Sequence, residues 1–334
     1  MEVLRKLLYP VSLIYALVVR IRNCLFDVGV FKSERFATPT LCIGNLSVGG
    51  TGKTPMAEFL ISLLKDDMRL ALLSRGYRRK SKGFVLADTT STVGDLGDEP
   101  YQIYSKHPEI AVAVDADRRR GIRALEKKVS PDLILLDDAF QHRKVKCGFS
   151  ILLTAYGNLY VNDRYLPTGS LRDSKREAKR ADLIIVTKCP EQSSDSQRQR
   201  IVRELNPEVH QHVLFSYLAY GEELKGNSHN VSLDYFRGKN PTLVTGIANP
   251  EPLVAHLKGS GLRFEHLRFR DHHDFTENDL DQLRRKEYLI TTEKDYVRLN
   301  GKVDNLYYLP VAHEFLGDDK NTLSTVLAVF MSQF

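Results

Sequence analysis

Lys53 and Thr54 carry the most chemical purpose in this sequence of 334 residues. They end the run GNLSVGGTGKTP, in which Gly49, Gly50 and Gly52, with Thr51 among them, let the backbone turn its N–H groups toward phosphate oxygens. Lys53 has the reach to bridge the β- and γ-phosphates of a nucleotide, and the Thr54 hydroxyl suits a Mg2+ ion. A helix beginning there adds the positive end of its dipole. The usual pattern, G-x-x-x-x-G-K-[ST], asks for glycine at position 47, where this chain has Ser47. A chance glycine-rich turn is the bland alternative. The apolar run before the loop and the helical periodicity after it favour phosphate binding.

Carboxylates come next. In PDLILLDDAFQHR an apolar strand ends in Asp137 and Asp138. The C-terminal tip of a parallel strand lies beside a phosphate loop, where a Mg2+ ligand is needed; an ordinary acidic turn is the alternative. Gln141 and His142 fall just past the metal, where a substrate would lie. GDLGDEPYQI gathers Asp95, Asp98 and Glu99. A carboxylate near the γ-phosphate can accept the proton of an attacking hydroxyl, although an acid-rich helix start explains the same residues more simply. RFRDHHDFT sets His272 and His273 between Asp271 and Asp274. Such a histidine orients or tunes a catalytic carboxylate, or else closes a local turn; no partner cluster for zinc accompanies it. Arg172, Lys175, Arg176, Lys179 and Arg180 read as the solvated face of a helix. In TKCP, Thr187 and Pro190 stand where a guanine-reading Asn-Lys-x-Asp has Asn and Asp, so ATP is expected.

These residues need a scaffold. Short apolar runs at 40–43, 70–73, 84–86, 110–114, 133–136, 149–153 and 183–186 read as strands, and residues 54–65 and 117–127 as helices. That alternation predicts a mostly parallel sheet covered on both faces. The rhythm loosens over 206–240 and then resumes. The expected organisation is a membrane-associating helix over 1–25, a phosphate-loop domain over 26–205, a linker region over 206–240 and a C-terminal α/β domain over 241–334. Thr276 and Asp279 are spaced for a capping box.

Net charge is +6, which suits an anionic partner. With no tryptophan and no basic run interleaved with aromatics, a single-stranded nucleic-acid platform is not indicated. Cys24, Cys42, Cys147 and Cys189 are too scattered for a zinc or thioredoxin-type pair and read as reduced, buried thiols. Residues 7–19 are apolar, with Arg5 and Lys6 before them and Arg20, Arg22 and Lys32 after. Thirteen residues fall short of the ~20 that span a bilayer, and no small-residue cleavage site follows. Two readings stay open: an interfacial anchor on an anionic leaflet, and a helix packed on the core.

IGNLSVGGTGKTP, LSRGYRRK, VGDLGDEP, DDAFQHR, LPTGSLR and DHH, in this order, resemble the tetraacyldisaccharide 4'-kinase family, the lipid A 4'-kinases of Gram-negative bacteria. The likeness runs from residue 1 to about residue 300. It implies a P-loop NTPase-like α/β/α sandwich, a second smaller α/β/α domain, a short β linker and a site in the cleft between domains. It implies transfer of the γ-phosphate of ATP, with Mg2+, to the 4'-hydroxyl of an acylated glucosamine disaccharide 1-phosphate. It further implies a peripheral or monotopic enzyme held by its N-terminal helix on the anionic cytoplasmic face of the inner membrane, with no nucleic acid and no obligate protein partner.

By the same resemblance, Lys53 and Thr54 hold phosphate and Mg2+, and Asp137 and Asp138 stand at the metal. Asp98 activates the acceptor hydroxyl with His272 as its partner. Tyr77, Arg118, Arg119, Gln141 and His142 belong to substrate or active-site motifs. Where the family has glutamate after LPTGSLR, this chain has Asp173, whose shorter side chain leaves its place at the metal open. The double glycine also resembles the variant loop of P-loop switches, which makes a switch or assembly ATPase without a lipid substrate the contrasting reading. Val48, where those switches carry a signature lysine, counts against it.

Overall fold

The computed structural model describes residues 8–226 and 229–334. After a helix, α1 (Tyr9–Asp27), strand and helix alternate: β1 (Thr40–Asn45), α2 (Lys53–Leu64), β2 (Leu70–Ser74), β3 (Val85–Leu86), α3 (Val93–Leu96), α4 (Asp98–Lys106), β4 (Ala111–Val114), α5 (Arg118–Lys128), β5 (Leu133–Asp137), β6 (Phe149–Ala155), β7 (Leu183–Thr187), α6 (Asp195–Leu205) and β8 (His212–Tyr220). A second series follows: β9 (Glu223–Gly226), β10 (Val231–Ser232), β11 (Thr242–Thr245), α7 (Glu251–Gly259), β12 (Glu265–Arg268), α8 (Glu277–Arg284), β13 (Leu289–Thr291), α9 (Glu293–Leu299) and β14 (Leu306–Tyr308). The chain closes with β15 (Val311–Phe315) and α10 (Asp319–Met331).

The large sheet has nine strands in the order β15-β8-β7-β6-β1-β5-β2-β4-β3, parallel except for its two edge strands. Its central strands are continuous apolar runs because helices cover both faces. On one face α2 contributes Met56, Leu60 and Ile61. On the other, α5 contributes Ile122 and Leu125, and α6 contributes Ile201 and Leu205. The smaller sheet, β10-β9-β14-β13-β11-β12, is sandwiched likewise. Leu253 and Leu257 of α7 pack on one face, and Leu280, Leu283 and Leu299 of α8 and α9 on the other. Thr276 and Asp279 do form a capping box at α8. Both bodies are α/β/α sandwiches, as the strand–helix rhythm predicts.

The domain boundaries need correction. Residues 212–220 are not a linker: β8 continues the large sheet parallel to β7. Residues 311–331 are not part of the second body. β15 pairs antiparallel with β8, and α10 buries Leu323, Leu327 and Phe330 in the same core as Met56. The small body is thus an insertion into the large one. Its two ends meet where the Gly221 N–H donates to the Pro310 carbonyl at 2.9 Å.

The N-terminal helix is longer than its apolar run. Its 19 residues are long and apolar enough to cross a membrane by length and composition. Several of its polar residues nevertheless face the protein. Ser12 bonds Thr168, the Tyr15 hydroxyl donates to the Arg172 carbonyl, and Asn23 Nδ2 donates to Asp173 Oδ1 at 2.7 Å. Leu13, Ile14, Leu17, Val18 and Ile21 are exposed, Ile14 to 64% against 4% for Ser12 and Asn23. This inverts the pattern of a helix packed on a soluble core.

Candidate active site

The phosphate loop joins β1 to α2. Gly49 and Gly52 have φ of +116° and +83°, which L side chains resist. The loop is braced from several sides. Asn45 Nδ2 donates to Thr51 Oγ1 at 3.0 Å, and the Thr187 hydroxyl donates to the Thr51 carbonyl at 2.8 Å. Thr187 therefore holds the loop where the guanine-reading asparagine would stand. His313, on β15, reaches under the loop: its Nε2–H donates to the Gly52 carbonyl at 3.0 Å, while Nδ1 meets the Ser216 hydroxyl at 3.0 Å. Burial lowers its pKa to about 4, so the ring stays neutral. The Ser47 hydroxyl donates to Asp163 Oδ2 at 2.8 Å. Beside the loop, a cavity of about 300 Å³ is bounded by Val48, Gly50, Asn158, Tyr160 and Lys188, and by Asn249 from the small body.

β5 lies next to β1, in register Ile43 to Asp137, so both aspartates stand at the loop. They differ. Asp137 is buried; Ser74 donates to its Oδ2 at 2.9 Å, and its Oδ1 is buried without a hydrogen-bond partner among the described residues. Burial, then the charges of Glu99 and Asp138, raise its pKa to about 6 against the pull of Lys53. A buried carboxylate oxygen left in this state fits a cation. Among the described residues no cluster of three or more His, Cys, Asp or Glu is set to hold a metal. Asp138 already has cations. Arg172 grips both of its oxygens, and Lys53 Nζ is 3.7 Å from Oδ1. Burial raises its pKa, but Lys53 and then Arg172 outweigh burial and hold it at about 2.

Where the two bodies touch, Asp98 opens α4 of the large body and His272 comes from the small one. His272 Nδ1 is 2.9 Å from Asp98 Oδ2. The buried Arg298, on α9, also donates to that oxygen. Burial pushes the Asp98 carboxyl up, yet His272 and then Arg298 hold it well below the usual carboxylate range. Lys294 Nζ is 2.8 Å from His272 Nε2 and 3.5 Å from Glu99 Oε1. The exposed Tyr77 sets its ring edge-on to His272 with centroids 5.4 Å apart.

A family model described as tetraacyldisaccharide-1-P 4'-kinase matches residues 4–331. The chain belongs to the tetraacyldisaccharide 4'-kinase family. The family member of Flavobacterium johnsoniae is 48% identical over 327 residues, covering 96% of each chain. That of Bacteroides thetaiotaomicron is 44% identical, over 89% of this chain and 83% of its own. The crystal structure of LpxK from Aquifex aeolicus in complex with ATP superposes with a TM-score of 0.81 at 29% identity, over 98% of this chain and 99% of that one.

Seen as a 4'-kinase, the remaining expected residues divide. Gln141 Nε2 donates to the Asn45 carbonyl at 2.6 Å, beside the loop. His142 is half-buried, with Nε2 unpartnered among the described residues and its pKa lowered to about 4 by burial and then by Arg118. Arg118 is buried behind β5, donating to the Asp115 and Asp137 carbonyls. Arg119 instead pairs with its helix-capping neighbour Asp117. Asp95 serves the capping box with Thr92. Asp173 is buried and faces α1: its Oδ1 accepts from Asn23 and from the Ser174 N–H.

Arg172, Lys294 and Arg298, which the structure brings to this candidate site, escape sequence reasoning. Arg172 belongs to a basic run that reads as solvated; the structure gives a short 3-10 helix only from Lys175 to Arg180, and Arg172 turns inward to Asp138. Lys294 and Arg298 sit four apart, on one face of a seven-residue helix. The i, i+4 spacing of two cations is their only local signal, and it is a weak one.

Proposed function

We propose that this kinase moves the γ-phosphoryl group of ATP to the 4'-hydroxyl of an acylated glucosamine disaccharide 1-phosphate, working on the cytoplasmic face of the inner membrane. The pairing of Asp98 on the phosphate-loop body with His272 on the inserted one is the observation that carries the reading. Phosphoryl transfer needs positioning and charge neutralisation more than covalent chemistry. Lys53 and the loop N–H groups would take up charge on the phosphates. Asp137 and Thr54 would hold Mg2+, which supplies further positive charge to the transferring group when bound. Asp138, already gripped by Arg172, would orient that arginine and Lys53 toward the phosphates.

Asp98 would receive the hydroxyl proton as the acceptor oxygen bonds to phosphorus and the bond to the ADP oxygen breaks. Its carboxylate stays ionised at working pH, and weak basicity suffices when the proton leaves late in a loose transition state. Gln141, His142 and Tyr77 would line the acceptor side. The exposed apolar face of α1 supports docking on a bilayer, where an acyl-chain substrate reaches the cleft without leaving the membrane. The test is mass spectrometry of the lipid after incubation with ATP and Mg2+. One added phosphate on the distal sugar is expected. ATP hydrolysis indifferent to lipid would instead indicate a switch or assembly ATPase.

A further inference from the structure

The Lys294 ammonium lies 2.8 Å from His272 Nε2. An ammonium donates and cannot accept, so Nε2 must present its lone pair. The ring proton is then on Nδ1, aimed at Asp98 Oδ2 over 2.9 Å. The Arg298 guanidinium lies 3.0 Å from the same Nδ1. Two donors do not bond each other, so Arg298 is a neighbour there and spends its hydrogen bond on Asp98.

The surroundings fix this arrangement from every side. His272 has φ of +55°, a conformation uncommon for histidine. It is held by its own N–H to the Gly246 carbonyl at 3.0 Å and by Arg78 Nη1 on its carbonyl at 2.5 Å. Tyr77 covers one side of the ring. Lys294 is itself placed by Glu99 at 3.5 Å and Asp271 at 3.9 Å. Asp295 anchors α9 by accepting from the Gly246 N–H at 2.7 Å and from Arg298 at 3.2 Å. The charged and titratable groups around the imidazole are therefore Asp98, Glu99, Tyr77 and Arg78 from the large body, and Asp271, Lys294, Asp295 and Arg298 from the small one.

We infer that Lys294 is a positioning residue: it holds His272 neutral in the Nδ1–H tautomer, occupies Nε2, and so makes His272 an orienting donor to Asp98 rather than a base. The tautomer follows from this geometry alone; its bearing on turnover rests on the reading of Asp98 as proton acceptor. Without Lys294, nothing at Nε2 demands a lone pair, and the Nδ1–H tautomer loses the contact that selects it.

The experiment is nitrogen-15 NMR of histidine-labelled full-length protein, with His272→Gln assigning the signal. At pH 7 the neutral Nδ1–H tautomer is expected at His272. The Nε2–H tautomer, or an imidazolium, in the unmutated protein overturns the inference whatever the variants do. Lys294→Met is expected to admit the Nε2–H tautomer at His272, to change the pH profile of kcat and to lower kcat roughly tenfold, with KM for ATP nearly unchanged. Lys294→Arg, which keeps a donor, restores most of the turnover. A Lys294→Met protein with unaltered tautomer and pH profile also overturns the role. If Asp98→Asn turns over normally while the tautomer is as stated, the reading of Asp98 fails and the placement by Lys294 stands.

Discussion

The Ser47 hydroxyl donates to Asp163 Oδ2 over 2.8 Å, and this bond moors the shoulder of the phosphate loop to the segment that carries Thr168 and Arg172. The Val48 N–H reinforces it by donating to the Ser170 carbonyl at 2.7 Å. Ser47→Gly would restore the standard loop pattern and remove the mooring. ATP affinity is expected to fall roughly fivefold, the equivalent of about 1 kcal/mol for one hydrogen bond. Calorimetric titration with ATP checks this, and equal or tighter binding refutes the mooring role.

Asp98→Asn keeps the size of the side chain and removes the proton acceptor. Turnover is expected to drop by ~10²–10⁴-fold with ATP affinity unchanged. Single-turnover phosphate transfer and a separate ATP binding curve distinguish the two effects.

The outward face of α1 gives a third expectation. Replacing Leu13, Ile14, Leu17 and Val18 together by glutamine leaves Ser12, Tyr15 and Asn23 in place to hold the helix. Partition onto anionic vesicles should fall by roughly tenfold or more while ATP binding persists. Co-sedimentation measures it; undiminished binding would mean that another surface meets the bilayer.

A buried cluster links the nucleotide helix α2, the Asp98 helix α4 and the Lys294 helix α9. Lys106 Nζ bonds Glu58 and, at 3.0 Å, Glu293, while Gln102 Nε2 donates to both carboxylates at 2.8 and 3.0 Å. Burial and then the Glu58 charge raise the Glu293 pKa to about 7, against the pull of Lys106. A carboxyl whose folded pKa exceeds its unfolded value of ~4.3 contributes stability that is full at low pH and is lost as pH rises through the folded value. The loss thus falls between pH ~4.3 and ~7. Glu293→Gln, which mimics the protonated form, should flatten that part of the pH dependence, so that the Tm of the variant compares more favourably with that of the unmutated protein at pH 8 than at pH 6. Thermal melts of both proteins at the two pH values decide it; a variant that compares less favourably at pH 8 than at pH 6 argues against the sign.

Local features of the site are legible in the sequence because they are made of neighbours. The glycine loop, the acidic strand tip at Asp137 and the α8 capping box each occupy a few consecutive residues. The Asp98–His272 pair spans 174 positions and emerges only through likeness to a family, since nothing local to either residue points to the other. Arg172 is hidden in a basic run whose composition matches a solvated face, and only the turn ahead of the 3-10 helix aims it at Asp138. His313 lies in a short alternating strand with no motif of its own. The boundary error has the same origin: β8 and β15 are adjacent in space but separated by the entire small body, and chain rhythm carries no mark of a return.

That return sets an order of events during synthesis. The edge strand β15, the helix α10 and the imidazole beneath Gly52 all belong to the nucleotide-binding body, yet they leave the ribosome after the whole inserted body has been made. The insertion has core clusters of its own, while the larger sheet waits with β8 as an open edge and without Leu323, Leu327 and Phe330 in its core. Until residues 311–331 follow, a nascent chain carries the phosphate loop without the imidazole that braces it at Gly52.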